Sequence, residues 1–303
     1  MNDSASFTLY FIPSPFGLNW DNPTSLARDI VKNYIVQGRF GYTKRFMGHV
    51  NIELKYKDGD RDVHILTGMT AAKLDALPML LKDKVGLGIV FHSFPGRLET
   101  KDELEAELDN YSLKGNKSMN FCEYQIRTEM AQRIEEYITE YKDKDLGRYY
   151  GLYNSALHGE GAGCSGFGAS FIDVMGIISQ EHKENWANCV RVPHKLIGPP
   201  IKKNKVNFLN ILTSKHEWAK KEDEHHEIFF WDPDLMYQHT QKKLENESSE
   251  FKIIKKKNVS GLQYDLTQNE VPKRKIFKKF NQSGEVESFE PQLEDLSNFS
   301  KYN

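Results

Sequence analysis

Gly161-Ala162-Gly163-Cys164-Ser165-Gly166-Phe167-Gly168-Ala169-Ser170-Phe171-Ile172-Asp173-Val174-Met175-Gly176-Ile177-Ile178 is the stretch on which the reading of the fold turns. Phe167, Phe171, Val174, Met175 and Ile178 recur at helical spacing and form one apolar face, so a buried helix is expected where the glycine-rich loop ends. Cys164 stands at that junction. Unpaired N–H groups and the positive end of the macrodipole at a helix start favour a thiolate, which makes Cys164 a candidate nucleophile. A small residue filling a tight loop-to-helix junction is the plainer reading, and a cysteine by itself does not decide between them.

A nucleophilic cysteine needs a base within hydrogen-bond reach and a third group to orient that base. Upstream, the stretch from Phe46 to Tyr56 alternates strictly: Val50, Ile52, Leu54 and Tyr56 face one way, and His49, Asn51, Glu53 and Lys55 the other. His49 therefore opens the polar face of a strand and is the candidate base. Asp58-Gly59 signals a hairpin, with Asp62-Val63-His64-Ile65-Leu66-Thr67 as the returning strand. A two-residue turn at Asp58-Gly59 pairs Glu53 with His64 and sets His49 opposite Gly68. His64 is the candidate third residue, although this register leaves it roughly 13 Å along the sheet from His49 unless a bulge or a longer loop intervenes. Asn51 and Glu53 share the polar face and stay open as alternatives.

Around these two motifs the pattern is that of an α+β protein. Residues 8–20 read as a short apolar strand broken by Pro13 and Pro15, Leu26 to Ile35 as an amphipathic helix behind a Thr24 or Ser25 cap, and Thr70 to Leu81 as a helix weakened by Pro78. The apolar run Val85 to Phe94 reads as a buried central strand, and Met119 to Lys142 as one long amphipathic helix. Ala187 to Pro193 and Glu227 to Trp231 read as further strands. The expected organisation is a domain over residues 1–241, with an inserted helical segment near 70–145, followed by a polar, partly ordered tail over 242–303.

Composition excludes several classes. Lys and Arg total 41 against 43 Asp and Glu, so the chain as a whole has no basic excess to bind nucleic acid. Three cysteines are too few and odd in number for a disulfide framework. No stretch reaches the length of a membrane span, and Met1 to Phe7 lacks the basic start and apolar core of a secretory signal. A cytoplasmic location is expected if Met1 is the native start. The segment His216 to His226 is rich in metal-ligating side chains but lacks the second histidine of H-E-x-x-H, and nothing else implies a metal or cofactor. His158 and Glu160, just before the cysteine, are possible lining residues of the site, and His92 reads as a core histidine.

Cys164-Ser165-Gly166-Phe167 resembles the Cys-Ser-Gly-Phe/Leu signature that opens the catalytic helix of NlpC/P60 cysteine peptidases. Gly48-His49-Val50-Asn51-Ile52-Glu53-Leu54 is similar to their Gly-His-Val-Gly-Ile-Tyr strand, and Arg148-Tyr149-Tyr150-Gly151 to the Pro-Tyr-x-Trp/Tyr-Gly stretch upstream of the cysteine. Here the histidine precedes the cysteine, the order of circularly permuted members, including the lecithin retinol acyltransferase-like branch. The resemblance covers residues 46–67 and 147–178.

It implies a papain-like fold, in which a helix bearing the nucleophile packs on an antiparallel sheet bearing the histidine. It also implies a thiol hydrolase (peptidase or amidase) or acyltransferase, without a cofactor, acting on a small peptide, amide or ester, a peptidoglycan-type peptide among them. The implied catalytic set is Cys164, His49 and His64. The Cys164 backbone N–H, assisted by Tyr149 or Tyr150, would stabilise the oxyanion, and Ser165 adjoins the substrate site. The alternative is a non-catalytic peptide- or lipid-binding protein on the same scaffold. A third reading makes the charged helix and the tail a surface for a protein partner.

Overall fold

A computed structural model of the chain describes residues 5–40, 45, 47–73, 76–280 and 286–288. In chain order the elements are β1 (Ala5–Ile12), α1 (Pro23–Phe40), β2 (His49–Asp58), β3 (Arg61–Ala71), α2 (Ala76–Pro78), β4 (Phe94–Leu98), α3 (Lys101–Lys114), β5 (Asn120–Ile126), α4 (Thr128–Asp143) and β6 (Tyr149–Tyr150). They continue as α5 (Cys164–Val174), α6 (Gln180–Trp186), β7 (Ala187–Pro193), α7 (Phe208–Thr213), β8 (His225–Trp231), α8 (Pro233–Leu244), β9 (Lys252–Lys256), β10 (Val259–Asp265), β11 (Lys278–Phe280) and β12 (Val286–Ser288).

The protein is α+β, built on a mixed eight-stranded sheet in the order β6-β4-β3-β2-β1-β5-β10-β9. All neighbours in it are antiparallel except β10 and β5. Alternation in β1 and β2 sends Phe7, Leu9, Phe11, Val50, Ile52 and Leu54 to one face, where they meet Ile134, Tyr137 and Tyr141 of α4 and Phe167 and Phe171 of α5. Tyr137 stacks edge-on against Phe171 at 4.9 Å, and its hydroxyl bonds Ser170 at 2.8 Å, so the helix that carries Cys164 is seated by both aromatic packing and a buried hydrogen bond. The opposite face packs Tyr10, Ile12, Leu66 and Phe121 against Leu104, Leu108 and Tyr111 of α3. β7 and β8 form a separate two-stranded sheet, whose core includes Ala27 of α1, Phe91 and Ile211 of α7.

Several expectations are corrected. The hairpin turns at Gly59-Asp60, with Asp58 opposite Arg61 and Lys55 opposite His64. Gly59 occupies the first central turn position at φ 60°, a conformation that favours glycine, and this moves the register by two residues. The run Val85 to Phe94 is not a central strand: residues Leu87–Phe91 form a 3-10 helix, and the strand β4 starts only at Phe94. The expected helix from Met119 divides into β5, which fills the place beside β1, and α4. Where a helix over Thr70 to Leu81 is expected, β3 runs on to Ala71 and is followed by short α2 and a π-helical turn at Met79–Asp83. The helix α5 stops at Val174, with Gly176 at φ 75° just beyond.

The expected division at 241/242 falls inside α8, and β9 and β10 behind it extend the central sheet. Farther on, Arg274 and Lys278 pair with Asp173 of α5, and Phe277 packs on Tyr137. The Met1 terminus, Phe46, Leu74 and Asp75, and residues 281–285 and 289–303 of the expected tail lie outside the described residues. Among the described residues no helix is long and apolar enough to cross a membrane.

Candidate functional site

Two motifs far apart in sequence meet at one end of the sheet. β1 pairs with β2 as far as His49, whereas β3 begins its pairing only at Asn51, opposite Gly68. The β3 side of residues 48–50 is therefore open, and Cys164 occupies it. Its sulfur lies 3.8 Å from the Gly48 carbonyl oxygen and accepts a hydrogen bond from the Val50 backbone N–H. The close seat of α5 depends on Gly168, where a side-chain carbon would lie 2.5 Å from Val50 Cγ1. Gly163 precedes the first turn and has no side chain to cap it, so the N–H groups at the start of α5 carry no side-chain cap.

His49 is buried at 2% exposure and stands beside the thiol. Burial pushes the Cys164 thiol up, but the charge of the imidazolium and hydrogen bonds from His49, Tyr150 and Val50 bring it below its ordinary value. For the imidazole, burial and the charge of Arg45 favour the neutral form. Interaction with Cys164 and a hydrogen bond to Glu99 outweigh them and leave His49 above its ordinary value. The two shifts have one cause: each ion is the other's counter-charge in a buried place.

The residue that orients His49 is Glu99, whose Oε2 lies 2.7 Å from His49 Nε2. It follows β4 and continues its pairing: the Glu99 N–H donates to the Gly68 carbonyl at 2.8 Å, and its own carbonyl accepts from Thr67 Oγ1 at 2.9 Å. Gly68 leaves the space in which the carboxylate lies, since a carbon added there would sit 2.9 Å from Glu99 Oε2. Burial would raise this carboxyl, but His49 and Arg45 hold it down at about 2. Arg45 contacts Glu99 Oε1 at 2.5 Å and is bound on its other side by Glu107 of α3 at 2.6 Å.

His64 is not part of this group. Opposite Lys55 in β3, it lies six residues along the pair from His49, about 20 Å at strand rise. Its Nε2 bonds Glu53 Oε1 at 2.9 Å. Glu53 also receives the Tyr10 hydroxyl at 2.8 Å and Lys55 at 2.7 Å, which places both residues in a polar network on the far part of the sheet. Asn51 is fully buried beside Gly68. Tyr150 is brought to the thiol, and burial together with the Cys164 charge raises its hydroxyl well above the ordinary range, so it stays a donor. Tyr149 instead lies under the Arg148 guanidinium at 4.7 Å. Ser165 is buried and gives its hydroxyl to the Trp231 carbonyl at 2.6 Å, tying α5 to β8.

Glu99, Arg45 and Glu107 are the functional-site residues that sequence reasoning misses. One local signal bears on Glu99: Thr100 and Glu103 form a capping box that starts α3, which puts Glu99 at a strand-to-helix junction. Nothing local says that this junction lies against Gly68. The histidines at 194 and 226 come together at 3.1 Å, but among the described residues no group of three or more His, Cys, Asp or Glu has an arrangement that could hold a metal ion. No family model, no curated protein and no solved structure matches the chain.

Proposed function

We propose that the chain is a cysteine-dependent hydrolase or acyltransferase acting on an amide or ester bond, of the papain-like, circularly permuted NlpC/P60 type. The observation that carries the reading is the convergence of Cys164, His49 and Glu99 from α5, β2 and the end of β4, with the thiol below and the imidazole above their ordinary values. A helix start carrying the cysteine, packed on a strand carrying the histidine, supports the same reading. Glu99 takes the role that the family resemblance suggested for His64.

In this reading the Cys164 thiolate attacks the substrate carbonyl carbon, and the carbonyl electron pair moves to oxygen. That oxyanion is received by the Cys164 backbone N–H and the Tyr150 hydroxyl. Collapse of the tetrahedral species expels the amine or alkoxide, which takes the proton from His49 and leaves a thioester on Cys164. Neutral His49 then removes a proton from water, or from an acceptor hydroxyl or amine, as that nucleophile attacks the thioester. The second collapse returns the Cys164 thiolate and leaves the proton on His49, so the ion pair is restored. Hydrolysis and acyl transfer differ only in the acceptor. The substrate class is a small peptide, amide or ester.

The test is the pH dependence of alkylation at each cysteine, read by peptide mass spectrometry, in the protein and in His49→Ala. Burial pushes Cys122 up to about 12 and also raises Cys189, so both serve as internal references. Cys164 is expected to react well below the usual thiol value of about 8.5 and to lose that reactivity without His49. Intact mass after incubation with p-nitrophenyl acetate should then show one acetyl group on Cys164. A Cys164 that titrates like Cys189, or that ignores loss of His49, rejects the enzyme reading and leaves a peptide- or lipid-binding protein.

A further inference from the structure

Behind Glu99 lies a second ion pair that the steps above do not use. Arg45 divides its guanidinium between two acidic residues: Nη2 reaches Glu99 Oε1 at 2.5 Å, while Nε and Nη2 reach the two oxygens of Glu107 at 2.6 and 2.9 Å. Side-chain exposure is 11% for Arg45, 1% for Glu99 and 4% for Glu107, so water screens none of these charges well. The two oxygens of Glu99 have different partners, Arg45 on Oε1 and His49 on Oε2. From Glu107 through Arg45, Glu99 and His49 to Cys164 the charges alternate in sign. Two buried carboxylates without the guanidinium between them would repel each other and draw more strongly on the imidazolium as a counter-charge.

We infer that Arg45, anchored on Glu107, is a positioning residue of this site: by taking one oxygen of Glu99 it fixes the carboxylate on His49 and keeps that carboxylate from claiming the imidazolium outright. The inference rests on the proposed Cys164–His49–Glu99 mechanism, in which His49 must release its proton to the leaving group. Arg45 is suited to the task because its planar fork serves two carboxylates at once. Among the described residues, other ionisable groups around the array include Tyr150 of β6, Arg97 of β4 and Tyr111 of α3, with Asp234 of α8 against Gly48. Burial and the neighbouring Glu107 push Tyr111 up to about 12, so it stays neutral through the range of interest.

The experiment uses the full chain with Arg45→Met, Arg45→Lys and the double variant Arg45→Met/Glu107→Gln, which removes the carboxylate charge together with the guanidinium if the single variant fails to fold. Two quantities are read: the titration of the His49 imidazole by NMR and the pH profile of Cys164 alkylation. Removing the guanidinium charge is expected to raise the His49 midpoint by about one pH unit and to move the acid limb of alkylation up by a similar amount, about tenfold less reaction below the limb. Arg45→Lys keeps the charge and should stay near the parent. If the folded Met or double variant titrates like the parent, or its His49 midpoint falls toward the ordinary value as simple loosening of the site would cause, the inference is overturned. An ordinary Cys164 midpoint in the parent protein overturns instead the mechanism on which the inference rests.

Discussion

Gly68→Ala tests the site without changing any residue that titrates in it. The added carbon would lie 2.5 Å from Asn51 Oδ1, 2.9 Å from Glu99 Oε2 and 3.3 Å from the Val50 carbonyl oxygen. Against a normal C···O contact of about 3.3 Å, the deficit is about 0.8 Å at Asn51 and about 0.4 Å at Glu99. The Glu99 backbone cannot retreat, because its N–H and carbonyl are both bonded to β3. The carboxylate must move, and a displacement of that size stretches its 2.7 Å contact with His49 beyond the charge-assisted range of about 2.7–2.9 Å. A hydrogen bond to a charged group contributes roughly 1.5–3 kcal/mol, so weakening it by half costs about 1 kcal/mol. The expected result is a five- to tenfold slower alkylation of Cys164 near neutral pH, a His49 midpoint moved down, and a loss of stability of about 1–3 kcal/mol from the overpacked site. Alkylation rates across pH, NMR titration of His49 and urea denaturation measure the three. Glu99→Gln should lower the rate further in the same direction. A folded Gly68→Ala protein whose Cys164 and His49 behave as in the parent would refute the role given to Glu99.

Two other expectations concern the frame of the site. Asp232 caps α8, accepting the Asp234 N–H at 2.8 Å, yet burial and the charge of Asp234 push its carboxyl up to about 6. A folded value above the unfolded one means that the ionised form opposes folding, with a cost that is absent well below the unfolded value of about 3.9, grows as pH rises, and is complete only above about pH 7. Asp232→Asn keeps a capping oxygen and should therefore gain about 2 kcal/mol at pH 7.5 and well under about 1 kcal/mol at pH 4 in urea denaturation, and equal gains at both values would contradict this reading. Gly261→Ala would put a carbon 2.3 Å from the ring of Phe121, a side chain with no exposure. A ring fixed in a closed core cannot yield cheaply, so a loss of about 1–3 kcal/mol is expected. An unchanged midpoint would show that β10 is not packed into the main sheet as described.

What could be read locally was the chemistry of single elements. The glycine loop and the periodic apolar residues put Cys164 at the start of a helix, and strict alternation put His49 on a strand, because both features depend on neighbours a few residues away. The register of the β2–β3 hairpin lay just beyond that reach. Whether Gly59 takes the first or second turn position moves His64 by two residues, and the composition of the turn alone does not choose. The helical spacing read for Met119 to Lys142 runs from Ile126 to Tyr141, and the first third of the stretch became β5, because an open side of β1 offers backbone hydrogen bonds that an isolated helix end cannot supply.

Tertiary structure decided everything that links these elements. Glu99 and Arg45 meet His49 only because β4 pairs with β3 and α3 packs on the opposite face of the sheet, so no spacing in the chain announces them. The same holds for the charges. A cysteine at a helix start is predisposed to ionise, but in a buried place desolvation works against the thiolate, and the balance turns on a counter-charge brought in by another strand. Sequence by itself determined which residues were able to react. The three-dimensional arrangement decided which partners stabilise their charges, since Coulomb and hydrogen-bond energies depend on distances of a few ångströms and not on position along the chain.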